Sequence, residues 1–308
     1  MKIVTQSTVG DPDVLQLTTV ADPAPGPGEV LVRVGATSVN PVDVYVRAGA
    51  FPILGEPPFA LGWDLAGTVE SVGAGAEAFA VGDRVVGLSR FPAEGATNAE
   101  LAVANADELV ATPAALSDAE AAALPLASLT AWQGLHAAGL AEGSRVLVQA
   151  AGGGVGHLAV QIAKAAGAVV VATASTAKID TVRSLGADEV VDYTTTDRST
   201  IEPVDIVLDP FGGDETRAVA DVVRPGGAVV SLLPPAEGAV TELESRGLRH
   251  VQVDVRPSAP QLVEIMHLVE TGDLRPVVSQ TFPLDRLAEA HAAVGTGSTL
   301  GKVVVTVP

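Results

Sequence analysis

The chain has 308 residues, of which 47% are hydrophobic, a formal net charge of −19 and no cysteine. That length suits two domains with a core in each, and the apolar content excludes disorder. The lack of cysteine excludes disulfides and thiolate zinc sites, and the acidity argues against nucleic acid and anionic membrane as partners.

The opening stretch, MKIVTQSTVGDPDVLQL, carries one lysine and no long apolar run, so it does not read as a secretory signal. No segment has the length and purity of a membrane span, and the expectation is a cytoplasmic protein. Short β-branched runs at Val30–Val34, Thr68–Val72 and Arg84–Leu88, separated by Gly, Pro and Asp, predict a β-rich first part. Pro23–Gly28 (PAPGPG) reads as a turn. From about Ser117 helices and strands alternate. Val146–Val148, Val169–Thr173, Val190–Val191, Ile206–Leu208, Ala228–Leu232 and Val251–Val255 are six predicted strands, with helical segments such as Thr216–Val223 between several of them. Strand–helix alternation implies right-handed crossovers, hence a doubly wound parallel six-stranded sheet, the Rossmann dinucleotide-binding architecture. The tail returns to an amphipathic helix, Pro260–Thr271, and a last strand, Lys302–Val307.

The first predicted strand of that sheet runs into a glycine cluster, Ala151-Gly152-Gly153-Gly154-Val155-Gly156, which opens an apolar-periodic helix ending at Gly167. In this context the turn brings backbone N–H groups to a pyrophosphate. Gly153 allows close backbone approach and Gly156 lets the helix pack on the strand, while Ala151 stands where the first glycine of G-x-G-x-x-G is usual. An NAD site normally has an acid at the end of the second strand. Here Val169–Thr173 leads instead to Ser175 and Lys178, with no acid until Asp180. A hydroxyl and an ammonium suit a 2′-phosphate, so the expected cofactor is NADPH. Leu232 and Leu233, in SLLPP after the fifth strand, fall at the carboxyl edge where ligands gather.

Several longer pieces, in this order and spacing, carry a resemblance: NPVDVYVRAG at Asn40–Gly49, LGWDLAGTVESVG at Leu61–Gly73, VGDRVVG at Val81–Gly87, AAGGGVGHLAVQIAK at Ala150–Lys164, LGADEVVDY at Leu185–Tyr193 and GKVVV at Gly301–Val305. The chain resembles the zinc-independent quinone oxidoreductases of the medium-chain dehydrogenase/reductase superfamily over essentially its whole length. The resemblance implies a GroES-like β-rich domain from both chain ends, residues 1–121 and 258–308, with the Rossmann domain, residues 122–257, inserted between them. It also implies an active site in the cleft between the two domains.

By the same resemblance Tyr193 contacts the 2′-phosphate, Phe211 in DPFGG (Asp209–Gly213) lies under the ribose and nicotinamide, and Thr130 lies beside the nicotinamide. Zinc-dependent relatives place a ligand cysteine where this chain has Asn40 and a ligand histidine where it has Trp63. With no cysteine, and five histidines without ligand spacing, a metal-free enzyme is expected. Asn40 and Tyr45 are the candidate groups that orient the acceptor oxygen. Asp43 and Arg47 are expected to pair structurally, and Trp63 and Phe59 to line the pocket or the core. Phe51 replaces a second tyrosine of some relatives. The implied activity is hydride transfer from NADPH to a quinone or an α,β-unsaturated carbonyl. An enoyl-thioester reductase, a metal-free alcohol dehydrogenase and a low-turnover NADPH-binding sensor or structural protein stand as alternatives. A homodimer is expected, on the resemblance and on the apolar strands at one edge of the six-stranded sheet.

Overall fold

Valine-rich segments from both ends of the chain meet in one sheet. The computed structural model describes residues 1–308. The first unit, Met1–Leu129 with Arg256–Glu270 and Pro276–Pro308, begins with β1 (Lys2–Gln6), β2 (Gln16–Thr19), β3 (Glu29–Val39), α1 (Pro41–Ala48), β4 (Phe59–Ala60), β5 (Asp64–Val72), β6 (Arg84–Leu88), β7 (Leu101–Asn105), β8 (Leu109–Ala111) and α2 (Asp118–Ala122). Helix α3 (Pro125–Ala137) carries the chain across Leu129 into the second unit, Thr130–Val255 with Thr271–Arg275. There follow β9 (Arg145–Val148), α4 (Gly156–Ala165), β10 (Val169–Ala174), α5 (Ile179–Ser184), β11 (Glu189–Asp192), β12 (Val204–Asp209), α6 (Glu215–Ala218), β13 (Val223–Ser231), α7 (Ala239–Ser245) and β14 (Arg249–Gln252). The chain then returns through α8 (Ala259–Thr271), β15 (Val278–Pro283), α9 (Leu287–Gly295) and β16 (Lys302–Thr306).

In the first unit a seven-stranded sheet has the order β15-β16-β3-β5-β6-β8, with β7 also on β3. The carboxyl-terminal β16 lies antiparallel to β3, Val303 opposite Val39. Val30, Val32, Val34, Leu65, Val69, Val85, Val303 and Val305 form its core. Sequence patterning ended β3 at Val34, because Gly35 reads as punctuation. The strand runs on to Val39: a Cβ at Gly35 would stand 2.1 Å from the Asp118 carboxylate, so this glycine is a close approach to the start of α2 rather than a break. Likewise β5 starts at Asp64, four residues before the predicted Thr68, and Asp64 pairs with Leu88.

In the second unit all six strands are parallel in the order β11-β10-β9-β12-β13-β14. Two segments differ from expectation. Thr216–Val223 is one turn of α-helix, then a 3₁₀ turn over Val219–Val222, and Val223 already belongs to β13. Burial of Val219, Ala220 and Val222 on the sheet outweighs helical propensity in this β-branched run. The edge strand is Arg249–Gln252 rather than Val251–Val255. Its ladder ends where β13 ends, at Ser231, and Val253 adds a single N–H bond to the Ser231 carbonyl at 3.0 Å.

Candidate active site

In the second unit the strand order reverses between β9 and β12, and the carboxyl edge there is where open α/β sheets bind ligands. Leaving β9, the chain turns sharply at Ala150, whose φ is +48°. The Ala151 N–H bonds the Thr173 carbonyl at 2.9 Å, which ties the turn to β10. A Cβ at Gly156 would stand 2.4 Å from the Ala150 oxygen and 2.8 Å from Ala151 Cα, so α4 packs on the turn only because this residue is glycine. Around Gly153 the nearest atom to such a carbon is the Ala150 oxygen at 3.2 Å. The amides of Gly152, Gly154 and Val155 donate to no atom of the chain. A loop with free donors at a helix N-terminus fits a pyrophosphate.

Lys178 lies across this loop. A Cβ at Gly152 would meet its Cδ at 2.6 Å, and partial burial lowers the pKa of its ammonium. Ser175 precedes the 3₁₀ turn that carries Lys178. Tyr193 follows β11, donates its N–H to the Ala174 carbonyl at 3.3 Å, and is 61% exposed. The acid nearest in the register is Asp192, opposite Ala174. Its oxygens accept from the hydroxyls of Thr176 (2.5 Å) and Thr194 (2.6 Å), which hold it ionised.

Phe211 is 54% exposed and is presented by Asp209. The buried Asp209 carboxylate accepts from the Phe211 amide (2.9 Å), the Gly212 amide (3.2 Å) and the Thr216 hydroxyl (2.7 Å), while burial pushes its pKa up. Leu232 donates its N–H to the Asp209 carbonyl and Gly213 donates to Pro234, so the loops after β12 and β13 are tied together. Thr130 is nearly buried in α3.

In the first unit Asn40 follows β3 and precedes Pro41, the first residue of α1. It is buried in a polar cluster. Its Oδ1 accepts from Lys302 Nζ, and its Nδ2 donates to Asp64 Oδ2 at 2.7 Å. Asp64 Oδ2 also accepts from the Ser38 hydroxyl, and Oδ1 from the Leu126 amide at 2.7 Å. Lys302 Nζ lies 3.7 Å from Asp64 Oδ2; their side chains are 3% and 0% exposed. Burial lowers the Lys302 pKa, with Asp64 and Asp43 opposing. Asp43 accepts the Asn40 backbone N–H at 2.9 Å, and burial raises its pKa to about 7.

Asp43 and Arg47 do not pair: Arg47 donates to the Gly10 carbonyl at 3.1 Å. Although i and i+4 in α1, the two find separate partners: Asp43 accepts the Asn40 backbone N–H and Arg47 reaches the Gly10 carbonyl. Tyr45 is 40% exposed, as is much of Phe51, and Tyr45 takes no part in the polar cluster. Trp63 is wholly buried, its indole N–H on the Ala93 carbonyl at 2.7 Å and its ring edge-on to Phe91. With Phe59 it belongs to the core. No three His, Asp or Glu side chains gather as a metal-ligand set.

Lys302, Asp64 and Ser38 are the participants that sequence reasoning missed. The available signal was a lysine heading an otherwise wholly β-branched strand, KVVVT.

The alcohol dehydrogenase GroES-like domain matches residues 26–118, and the zinc-binding dehydrogenase family matches residues 185–305. The 2-methylene-furan-3-one reductase of Solanum lycopersicum is 36% identical over 99% of this chain and 79% of its own length. Among solved structures, the quinone oxidoreductase of Coxiella burnetii superposes with a TM-score of 0.94 at 32% identity, covering 100% of this chain and 99% of that one. The Escherichia coli quinone oxidoreductase complexed with NADPH gives 0.89 at 27%, covering 99% and 100%. With the sheet order, the glycine turn and these matches in agreement, the chain belongs to the quinone oxidoreductase family of the medium-chain dehydrogenase/reductase superfamily.

Proposed function

We propose that the protein is an NADPH-dependent oxidoreductase that reduces a quinone or an α,β-unsaturated carbonyl without a metal. The observation that carries this reading is Lys178 laid across the glycine turn, beside a second strand that ends in Ser175 rather than an acid. The names of the tomato reductase and the Escherichia coli enzyme support both the acceptor class and the cofactor. Ala151–Gly156 receive the pyrophosphate, Ser175, Lys178 and Tyr193 the 2′-phosphate, and Phe211, Leu232 and Leu233 the ribose and nicotinamide, with Thr130 beside the ring. When bound, the nicotinamide supplies the hydride. The chain binds, orients and excludes water. Asn40 and Tyr45 donate hydrogen bonds to the acceptor oxygen as negative charge develops there. Asn40 and Trp63 at the relatives' ligand positions, with no cysteine in the chain, support metal-free chemistry.

The functional division at 121/122 and 257/258 belongs to the same proposal, as does a cytoplasmic homodimer. Unpaired edge strand β14 supports the dimer, because pairing across a two-fold axis removes an exposed edge. No helix is long and apolar enough to cross a membrane.

An NADPH-oxidation screen over quinones, alkenals, enones and enoyl thioesters tests the activity. Turnover with quinones or enones that survives exhaustive chelation is expected. Heat protection by NADPH without turnover on any acceptor would make this a binding protein instead. Tyr45→Phe should lower turnover on the order of tenfold, more for enones than for quinones, since a quinone already delocalises the incoming charge. An unchanged ratio between acceptors would return Tyr45 to packing.

A further inference from the structure

We propose that Lys302 and Asp64 are positioning residues that lock the Asn40 carboxamide with an N–H, rather than its C=O, available to the acceptor oxygen. This rests on the proposed role of Asn40 as a donor to that oxygen. A carboxamide has two ends of nearly equal size and opposite polarity, and only its hydrogen-bond partners decide which way it faces. Here both partners are unambiguous. The Lys302 Nζ donates to Oδ1, and the Asp64 oxygens, which accept from Ser38 and Leu126, accept from Nδ2 as well. Neither partner is free to turn. Asp64 is held by the Leu126 amide at 2.7 Å and by the Ser38 hydroxyl, and Lys302 reaches the Val39 carbonyl at 3.4 Å.

Asp43 adds a third clamp, on the Asn40 backbone N–H at 2.9 Å. Three ionisable side chains, all buried, therefore converge on one asparagine. One Nδ2–H is left once Asp64 has taken the other. With the amide reversed, a carbonyl oxygen would face the acceptor oxygen and repel the charge growing on it. A buried ion pair adds little stability over apolar residues of the same volume, which leaves orientation as the more telling consequence of this one. The ammonium on Oδ1 also polarises the amide and strengthens the remaining N–H as a donor.

The test is a double-mutant cycle on turnover, with NADPH affinity measured separately by fluorescence titration. Lys302→Met should lower kcat for an enone about tenfold, leaving NADPH affinity unchanged, and Lys302→Arg should recover part of the loss. Placed on Asn40→Ala, the same Lys302→Met should change kcat less than twofold, because the group it positions is gone. Equal losses in the two backgrounds would overturn the positioning role while leaving Asn40 in the reaction. An Asn40→Ala enzyme with undiminished kcat would instead overturn the reading of Asn40, and the inference with it. Should Lys302→Met fail to fold, the pair Lys302→Met/Asp64→Leu, which leaves no lone buried charge, replaces it in the same cycle and is judged by the same outcomes.

Discussion

The carboxyl edge of the six-stranded sheet and the polar cluster of the seven-stranded sheet are built in opposite ways. At the first, backbone amides without a partner in the chain and half-exposed side chains stand on short loops, each loop following directly from its strand. The second is buried and joins distant parts of the chain: Asn40 and Lys302 are 262 residues apart and touch only because β16 lies along β3. Solvent-facing groups depend on their ligand for a partner, whereas buried ones depend on each other. Substitutions at the edge should therefore alter binding and spare the fold, and substitutions in the cluster should do the reverse first.

The largest effect expected from this contrast is on stability. Lys302→Met removes the cation 3.7 Å from the buried Asp64 carboxylate and should cost about 3–5 kcal/mol, most of it regained in Lys302→Met/Asp64→Leu. Denaturant unfolding measures both. A double variant no more stable than the single one would mean that the penalty is lost packing rather than a stranded charge.

Titration sharpens the same point within the first unit. Burial, with Arg47 close by, lowers His291 from 6.5 to about 3. Between those values only the unfolded chain binds the proton, so His291 costs stability as the pH falls below 6.5. Asp43 runs the other way. Burial raises it from 3.8 to about 7, with Asp64 adding to the rise and the Asn40 amide and Lys302 opposing it. The folded chain holds that proton, so its contribution is full below 3.8 and lost as the pH rises through about 7. From 3.8 to 6.5 the two slopes oppose one another. Relative to the parent, Asp43→Asn should gain stability with rising pH in that window, and His291→Phe should lose it, each by about 1.4 kcal/mol per pH unit. Unfolding midpoints measured across the window decide this; parallel curves for parent and variants would refute the opposition.

At the sheet edge the expected changes are in affinity. Lys178→Ala should weaken NADPH binding about tenfold to a hundredfold, the range for charge-assisted bonds to phosphate, with little change for NADH and none in the unfolding midpoint. Equal losses for both coenzymes would show that Lys178 does not read the phosphate. The smallest effect belongs to an ion pair of similar chemistry left in water. Arg33 grips Glu70 through two bonds, 2.9 and 2.8 Å, yet both side chains are largely exposed. Arg33→Ala should leave the midpoint unchanged, and a clear loss would mean that burial is not what separates strong ion pairs from weak ones in this protein.

How legible each region was in the sequence follows from the same contrast. The glycine turn could be read because strand, turn and helix are contiguous and the pattern of small residues is local. β10 was placed to within one residue for the same reason, and Ser175 and Lys178 with it. Gly35 misled because a glycine inside a strand and a glycine ending one look alike until Asp118 is seen packed against it. Thr216–Val223 misled because burial on the sheet overruled a helical pattern too short to resist it. The Asp43–Arg47 pair misled because the two residues are near in sequence but find separate partners.

The parallel sheet and the glycine turn were legible in the residues alone, since both follow from local patterns of apolar, small and β-branched residues. Only the tertiary structure decided that Lys302, at the head of the last strand, meets Asn40 and Asp64, and that Trp63 is core. Strand pairing between distant segments sets which buried polar groups become neighbours, and a buried polar group is compelled to bond whatever neighbour that pairing supplies.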